Sequence, residues 1–116
     1  MTLYGLLVPR SQERKGTVRS LLIIAGHYFV DAAQRDAYVE AFRDLVPRAR
    51  AAQGCLDVAI TADAVDPRRV NNYEWWQSED ALAAFRAVAD PPQVEVEMLN
   101  MQMSKFHVDR ESDPFD

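Results

Sequence analysis

The chain has 116 residues, 48% of them apolar and 27% charged, with a net charge of −5 and a pI near 5.0. That is room for one folded domain around one core, and it excludes an intrinsically disordered chain. The acidic balance argues against nucleic acid as a partner, and the longest apolar stretch, Leu21 to Ala25, is far too short to span a membrane.

Residues 1–20 carry Arg10, Arg14, Lys15 and Arg19 against a single acid, Glu13, with little apolar periodicity after Val8. They read as an N-terminal arm whose first part pairs as an edge strand. Residues 21–30 are β-branched and aromatic, the composition of a strand, and nearly continuous in apolarity, as in a strand covered on both faces. Asp31 then stands three residues before Gln34, the spacing of a capping box, and Tyr38, Phe42, Leu45 and Ala49 recur at helical period. Pro47 lacks the N–H that would reach Arg43, which predicts a kink or restart. Gly54 is expected to close the helix as a left-handed cap.

Leu56, Val58 and Ile60 alternate with polar or small residues as a half-buried strand. The Asp63–Arg68 stretch, with Asp66-Pro67, reads as a loop into a partner strand, Arg69 to Gln77. Ser78 caps a second helix with Glu79 and Asp80 in its first turn, where the helix dipole favours acids. Leu82, Phe85 and Val88 or Ala89 form its inner stripe, and Asp90-Pro-Pro92 ends it. Leu99, Met101 and Met103 then alternate with polar residues as a last strand ending near Val108, before an acidic tail over residues 109–116. The order strand, helix, strand, strand, helix, strand is the α+β ferredoxin-like βαββαβ pattern, with a four-stranded antiparallel sheet in a domain over 21–108. Tyr73 and Trp75 share one parity, while Asn72 and Trp76 share the other. Aromatics on both sheet faces predict a homodimer through the face that the helices leave open.

Gly54-Cys55-Leu56, Asp66-Pro67 and above all Tyr73-Glu74-x-Trp76-x-Ser78-Glu79-Asp80-Ala81-Leu82 resemble the antibiotic biosynthesis monooxygenase (ABM) family. The resemblance covers about residues 21–108 and implies a dimeric α+β barrel. The best-known members oxidise phenolic or quinol-like polycyclic compounds with O₂ and no metal, flavin or haem; others degrade haem. In the branch acting on aromatic polyketides, an Asn and a Trp four residues apart on the third strand line the cavity. That pattern falls here on Asn72 and Trp76, with Glu74 between them. The chain departs from the branch at Leu82, where a Tyr is expected, and it has no firm counterpart of the branch's Arg, although Arg86 is available. Phe85 stands where many members carry a His. In the haem-degrading branch an Asn on the first strand and a Trp in the second helix serve the site; Gly26 and Phe85 occupy those positions.

An Asn amide and an indole N–H are donors suited to stabilising an anion that forms when a carbon acid loses a proton before meeting O₂. The competing reading makes Trp76 core and pairs Asn72 with backbone. His27 is a candidate general base, and Tyr28 on the opposite face is a candidate donor; one of the two must point toward the helices. The expected catalytic residues are therefore Asn72, Trp76 and His27, with Tyr28, Glu74, Phe85 and Arg86 contacting substrate. Met98, Met101 and Met103 are core filling or an adaptable wall for a flat ligand. Cys55 reads as a small buried hydrophobe, and His107 as a surface or dimer contact. One Cys and two His at no metal-ligand spacing, and no Gly-rich phosphate loop, point to an enzyme without cofactor or metal. A lone Cys and no leader-like segment point to the cytoplasm. The competing function is a non-catalytic dimeric barrel that binds a hydrophobic small molecule; haem degradation ranks last.

Overall fold

The computed structural model describes residues 21–116; the expected N-terminal arm lies outside the described residues. The element order is β1 (Leu21–Phe29), α1 (Ala32–Glu40), α2 (Leu45–Ala51), β2 (Cys55–Ala62), β3 (Arg69–Trp76), α3 (Glu79–Arg86) and β4 (Leu99–Val108). The four strands form one antiparallel sheet in the order β2-β3-β1-β4, with the helices on one face, an α+β ferredoxin-like arrangement. Among the described residues no helix is long and apolar enough to cross a membrane.

The helical segment after β1 is two helices rather than one. Asp31 caps α1 by accepting from the Ala33 N–H at 2.8 Å. The helix stops at Glu40, and the chain turns through residues 41–44 before α2 begins. Pro47 therefore sits in the first turn of α2, where a missing N–H costs nothing, and the break precedes it. Gly54 adopts φ +84°, as a left-handed residue after the helix must; a Cβ there would collide with the Ala81 Cβ on α3. Ser78 caps α3 by accepting from the Ala81 N–H at 3.1 Å. That helix ends at Arg86, so Val88 is not part of an inner stripe: it is exposed.

Strand alternation sorts the side chains into two layers. On β1, Leu22, Ile24 and Tyr28 face the helices; on β3, Val70 and Trp76 do the same. The resulting core falls into two apolar clusters. Leu22, Ile24, Ala49, Val58, Trp76 and Leu82 make one, and Tyr28, Val30, Tyr38 and Val70 make the other. Met103 packs against both. Trp76, Leu22 and Leu82 are fully buried, each contributing about 1.5–3 kcal/mol of hydrophobic stabilisation. The opposite face carries Ile23, Tyr73, Trp75 and Phe106, which the register aligns side by side.

The β2–β3 loop is held from α1. The Arg35 guanidinium donates to the carbonyls of Asp66 at 2.9 Å and Arg69 at 3.0 Å. Inside the loop, Asp63 accepts from the backbone of Val65 and Asp66 and from the Asn71 amide. This fixes the entry into β3, and with it the facing of every residue down to Trp76.

Candidate functional site

Residues 72, 74 and 76 of β3 form one row on the face beneath the helices, because a strand repeats every two residues. Each has defined neighbours across the sheet. Asn72 lies between Gly26 and Ile60, Glu74 between Ile24 and Val58, and Trp76 between Leu22 and Cys55. Glu74 is thus an acid set between two buried aliphatics of the first apolar cluster.

A carboxylate in such a place needs donors. The Trp76 Nε1–H donates to Glu74 Oε1 at 3.0 Å, and the Asn72 Nδ2 amide donates to Oε2 at 3.2 Å. Each oxygen receives one bond and keeps a further lone-pair direction for a substrate group. The Phe85 ring of α3 lies over Trp76 with centroids 5.6 Å apart and a tilt of 31°. An aromatic wall, a carboxylate and a primary amide therefore converge on one spot, an arrangement suited to a flat molecule with an acidic hydrogen.

The other expected site residues divide. Tyr28 faces the helices, so His27 faces away from them, on the layer opposite Asn72 and Trp76, where its ring meets Phe29 edge-on at 5.5 Å. The structure does not bring His27 to the row on β3. The Tyr28 hydroxyl is engaged with that of Tyr38, 2.7 Å away, inside the second cluster. Burial, then the shared hydrogen bond, push the Tyr28 phenol far above its ordinary range. Arg86, the last residue of α3, is exposed. Of the methionines, Met103 packs in the core, whereas Met98 and Met101 are about half exposed at 50% and 53% and do not fill it. Cys55 packs against the first cluster, and burial pushes its thiol up to about 11, so it stays protonated and unreactive. His107 is exposed on the edge strand, opposite Leu22.

Two participants were not legible beforehand. The Tyr38 hydroxyl belongs with Tyr28, but its helical spacing marked it only as part of an apolar stripe. The bond between Glu74 and Trp76 has a faint signature, a donor and an acceptor two residues apart on one strand face. A separate recess of about 440 Å³ opens at the other end of β3, lined by Asp31, Ala32, Gln34, Arg68, Glu97 and Leu99. It does not touch the Asn72–Trp76 row. Among the described residues no three His, Cys, Asp or Glu side chains gather where they could share a metal ion.

The sequence model of a family described as antibiotic biosynthesis monooxygenase matches residues 21–90. No curated protein matches the chain. Solved structures share the fold at low identity. A protein from Pseudomonas aeruginosa is 18% identical, with a TM-score of 0.63 over 80% of this chain and 98% of that one. A candidate antibiotic biosynthesis monooxygenase from Nitrosomonas europaea is 17% identical, with a TM-score of 0.58 over 84% and 98%. A haem-degrading protein from Mycobacterium tuberculosis, solved with two haems in its active site, is 14% identical, with a TM-score of 0.56 over 80% and 99%.

Proposed function

The chain belongs to the antibiotic biosynthesis monooxygenase family, and on that premise we propose that it oxidises a phenolic, quinol or polyketide-like aromatic compound with O₂. The observation that carries this reading is the Glu74 carboxylate clasped by Trp76 and Asn72 beside the first apolar cluster, with Phe85 as a wall. Such substrates are themselves electron-rich once deprotonated, so the protein's tasks are to hold the ring, take or stabilise charge, and exclude water. The reading includes a homodimer through the sheet face that carries Ile23, Tyr73, Trp75 and Phe106, Phe106 being 53% exposed.

The second reading is a non-catalytic barrel that binds a hydrophobic small molecule. Its support is the complete burial of Trp76, which makes that ring a core residue as well as a site residue. Haem degradation is disfavoured by Gly26. A Cβ at that position would run into the Gln102 carbonyl and lie 2.8 Å from the Met103 Cα, so β1 has no room for a side chain there.

The experiment is O₂ uptake by metal-free protein with an anthrone or a dihydroquinone. Uptake above the uncatalysed background supports the oxygenase. Tight binding of the same compounds with no uptake transfers the assignment to the binding barrel.

A further inference from the structure

The Trp76 indole has one N–H, and it is committed to Glu74. It cannot at the same time donate to a substrate anion. The donors on β3 therefore hold a carboxylate first, and the question is what that carboxylate does. A charge placed between Ile24 and Val58 is costly unless it serves packing or chemistry, and its two remaining lone-pair directions are not used by any described side chain.

From this geometry we infer that Glu74 is the base of the reaction, removing the acidic hydrogen of the bound substrate, with Trp76 and Asn72 as the residues that orient it. The inference rests on the oxygenase reading for its substrate class, a carbon acid between aromatic rings or beside a ketone. The other groups on this face do not serve. The Tyr28 hydroxyl is paired with Tyr38, the Cys55 thiol is held protonated, and the Lys105 ammonium is bound to both oxygens of Glu79 at 3.0 and 3.2 Å. His27 lies on the opposite layer, and His107 is two strands from Trp76 on the exposed edge.

The step balances simply. A substrate C–H bond breaks, its proton forms an O–H bond on Glu74, and its electron pair stays on the substrate as an enolate or phenolate-stabilised carbanion. Negative charge thus moves from Glu74 to the substrate, and the second amide hydrogen of Asn72 is the β3 donor left to meet it. Oxidation then follows with O₂ as the named oxidant: a CH₂ group and O₂ become C=O and H₂O, carbon losing four electrons and O₂ gaining them.

The proton step is separable from O₂. Wild-type protein in deuterium oxide, without oxygen, should catalyse exchange of the methylene hydrogens of an anthrone, read by NMR. Glu74→Gln, which keeps the shape but not the basicity, should lower that exchange by about 10²-fold or more, the usual contribution of a general base. Its fold is checked by near-UV circular dichroism. Glu74→Asp keeps a carboxylate on a shorter arm and should retain part of the exchange; if Glu74→Gln does not fold, a loss in folded Glu74→Asp supports the inference and undiminished exchange overturns it. His107→Gln should exchange like wild type. Exchange that survives in Glu74→Gln overturns the inference while O₂ uptake by wild type leaves the oxygenase reading in place. Exchange by wild type that Glu74→Gln loses, without O₂ uptake by wild type, supports Glu74 as base and removes the oxygenase. Neither exchange nor uptake overturns both.

Discussion

Gly26 of β1 pairs directly with Asn72 of β3, so the amide that donates to Glu74 has a residue without a side chain beside it on one side and Ile60 on the other. On its far side Gly26 pairs with Met103 of β4, next to a register shift between His27 and Phe29 where Asn100 adopts φ +50°. The glycine is required by contact: any Cβ meets the Gln102 carbonyl. Gly26→Asn should therefore destabilise the fold by about 1–3 kcal/mol of overpacking, or more because the obstacle is backbone, and lower the melting temperature. Adding haem to wild-type protein should give no Soret shift; a clear shift at stoichiometric haem would reverse the ranking of the haem reading.

Gly54 carries its own prediction. Its φ of +84° strains any other residue, and a side chain would also strike Ala81. Gly54→Val should cost at least about 1–3 kcal/mol. Denaturant unfolding with an unchanged midpoint would show that the α2–β2 junction relaxes instead.

The β2–β3 loop should be acid-sensitive. Hydrogen bonds from the Asp66 backbone N–H, the Asn71 amide and the Val65 N–H hold the Asp63 carboxyl at about 2, below its ordinary 3.8. A carboxyl lowered in the fold stabilises it fully above about pH 4 and loses that contribution as pH falls through about 2. Amide exchange at Val65 and Asp66 should accelerate over that window, and Asp63→Asn should abolish the change. A flat profile in wild-type protein would assign the loop's order to Arg35 alone.

How much of this was readable beforehand depends on which physical rule governed each residue. The facing of 72, 74 and 76 follows from the strict period of a strand, so the row on β3 was legible once β3 was. His27 and Tyr28 are adjacent, and choosing between them needs the burial of Tyr28 against Tyr38, a long-range contact that no local pattern contains. The helix break at 41–44 was displaced from the proline because Pro47 fits a first turn. Val88 was lost to the stripe because α3 ends one turn earlier than the Asp90-Pro91 stop signal. The bond from Trp76 to Glu74 is not legible in the sequence because strand period puts both donors and the acid on one face without saying which of them pair.

Dimer formation is tested on the layer opposite the helices. Trp75 lies opposite Ile23, which pairs on its other side with Phe106, a band across three strands. Doubling such a band about a twofold axis buries apolar area of the kind an obligate interface uses. Wild-type protein should sediment as a dimer at micromolar concentration, and Trp75→Arg should shift it to monomer. A monomeric wild type would remove the dimer from the proposed function.

The two donors on β3 should fail in different ways. Asn72 gives one of its two amide hydrogens to Glu74 and has the other available for an anion on the substrate. Asn72→Ala should lower kcat by about 10²-fold, the usual effect of losing one oxyanion donor, and should change KM less, because the charge it meets develops during reaction. Trp76 is fully buried and packed at a tilt against Phe85, and its single N–H goes to Glu74. Trp76→Phe keeps most of the apolar volume and removes only that bond, so Oε1 of Glu74 is left with no donor from β3. The carboxylate should then be less fixed in direction and in charge, and kcat should fall without loss of the fold, while Trp76→Ala should cost about 3–5 kcal/mol as a cavity mutant. Parallel melting curves and O₂-uptake kinetics separate the cases. If Trp76→Phe turns over like wild type while Asn72→Ala does not, the indole N–H is dispensable and Trp76 serves the core alone.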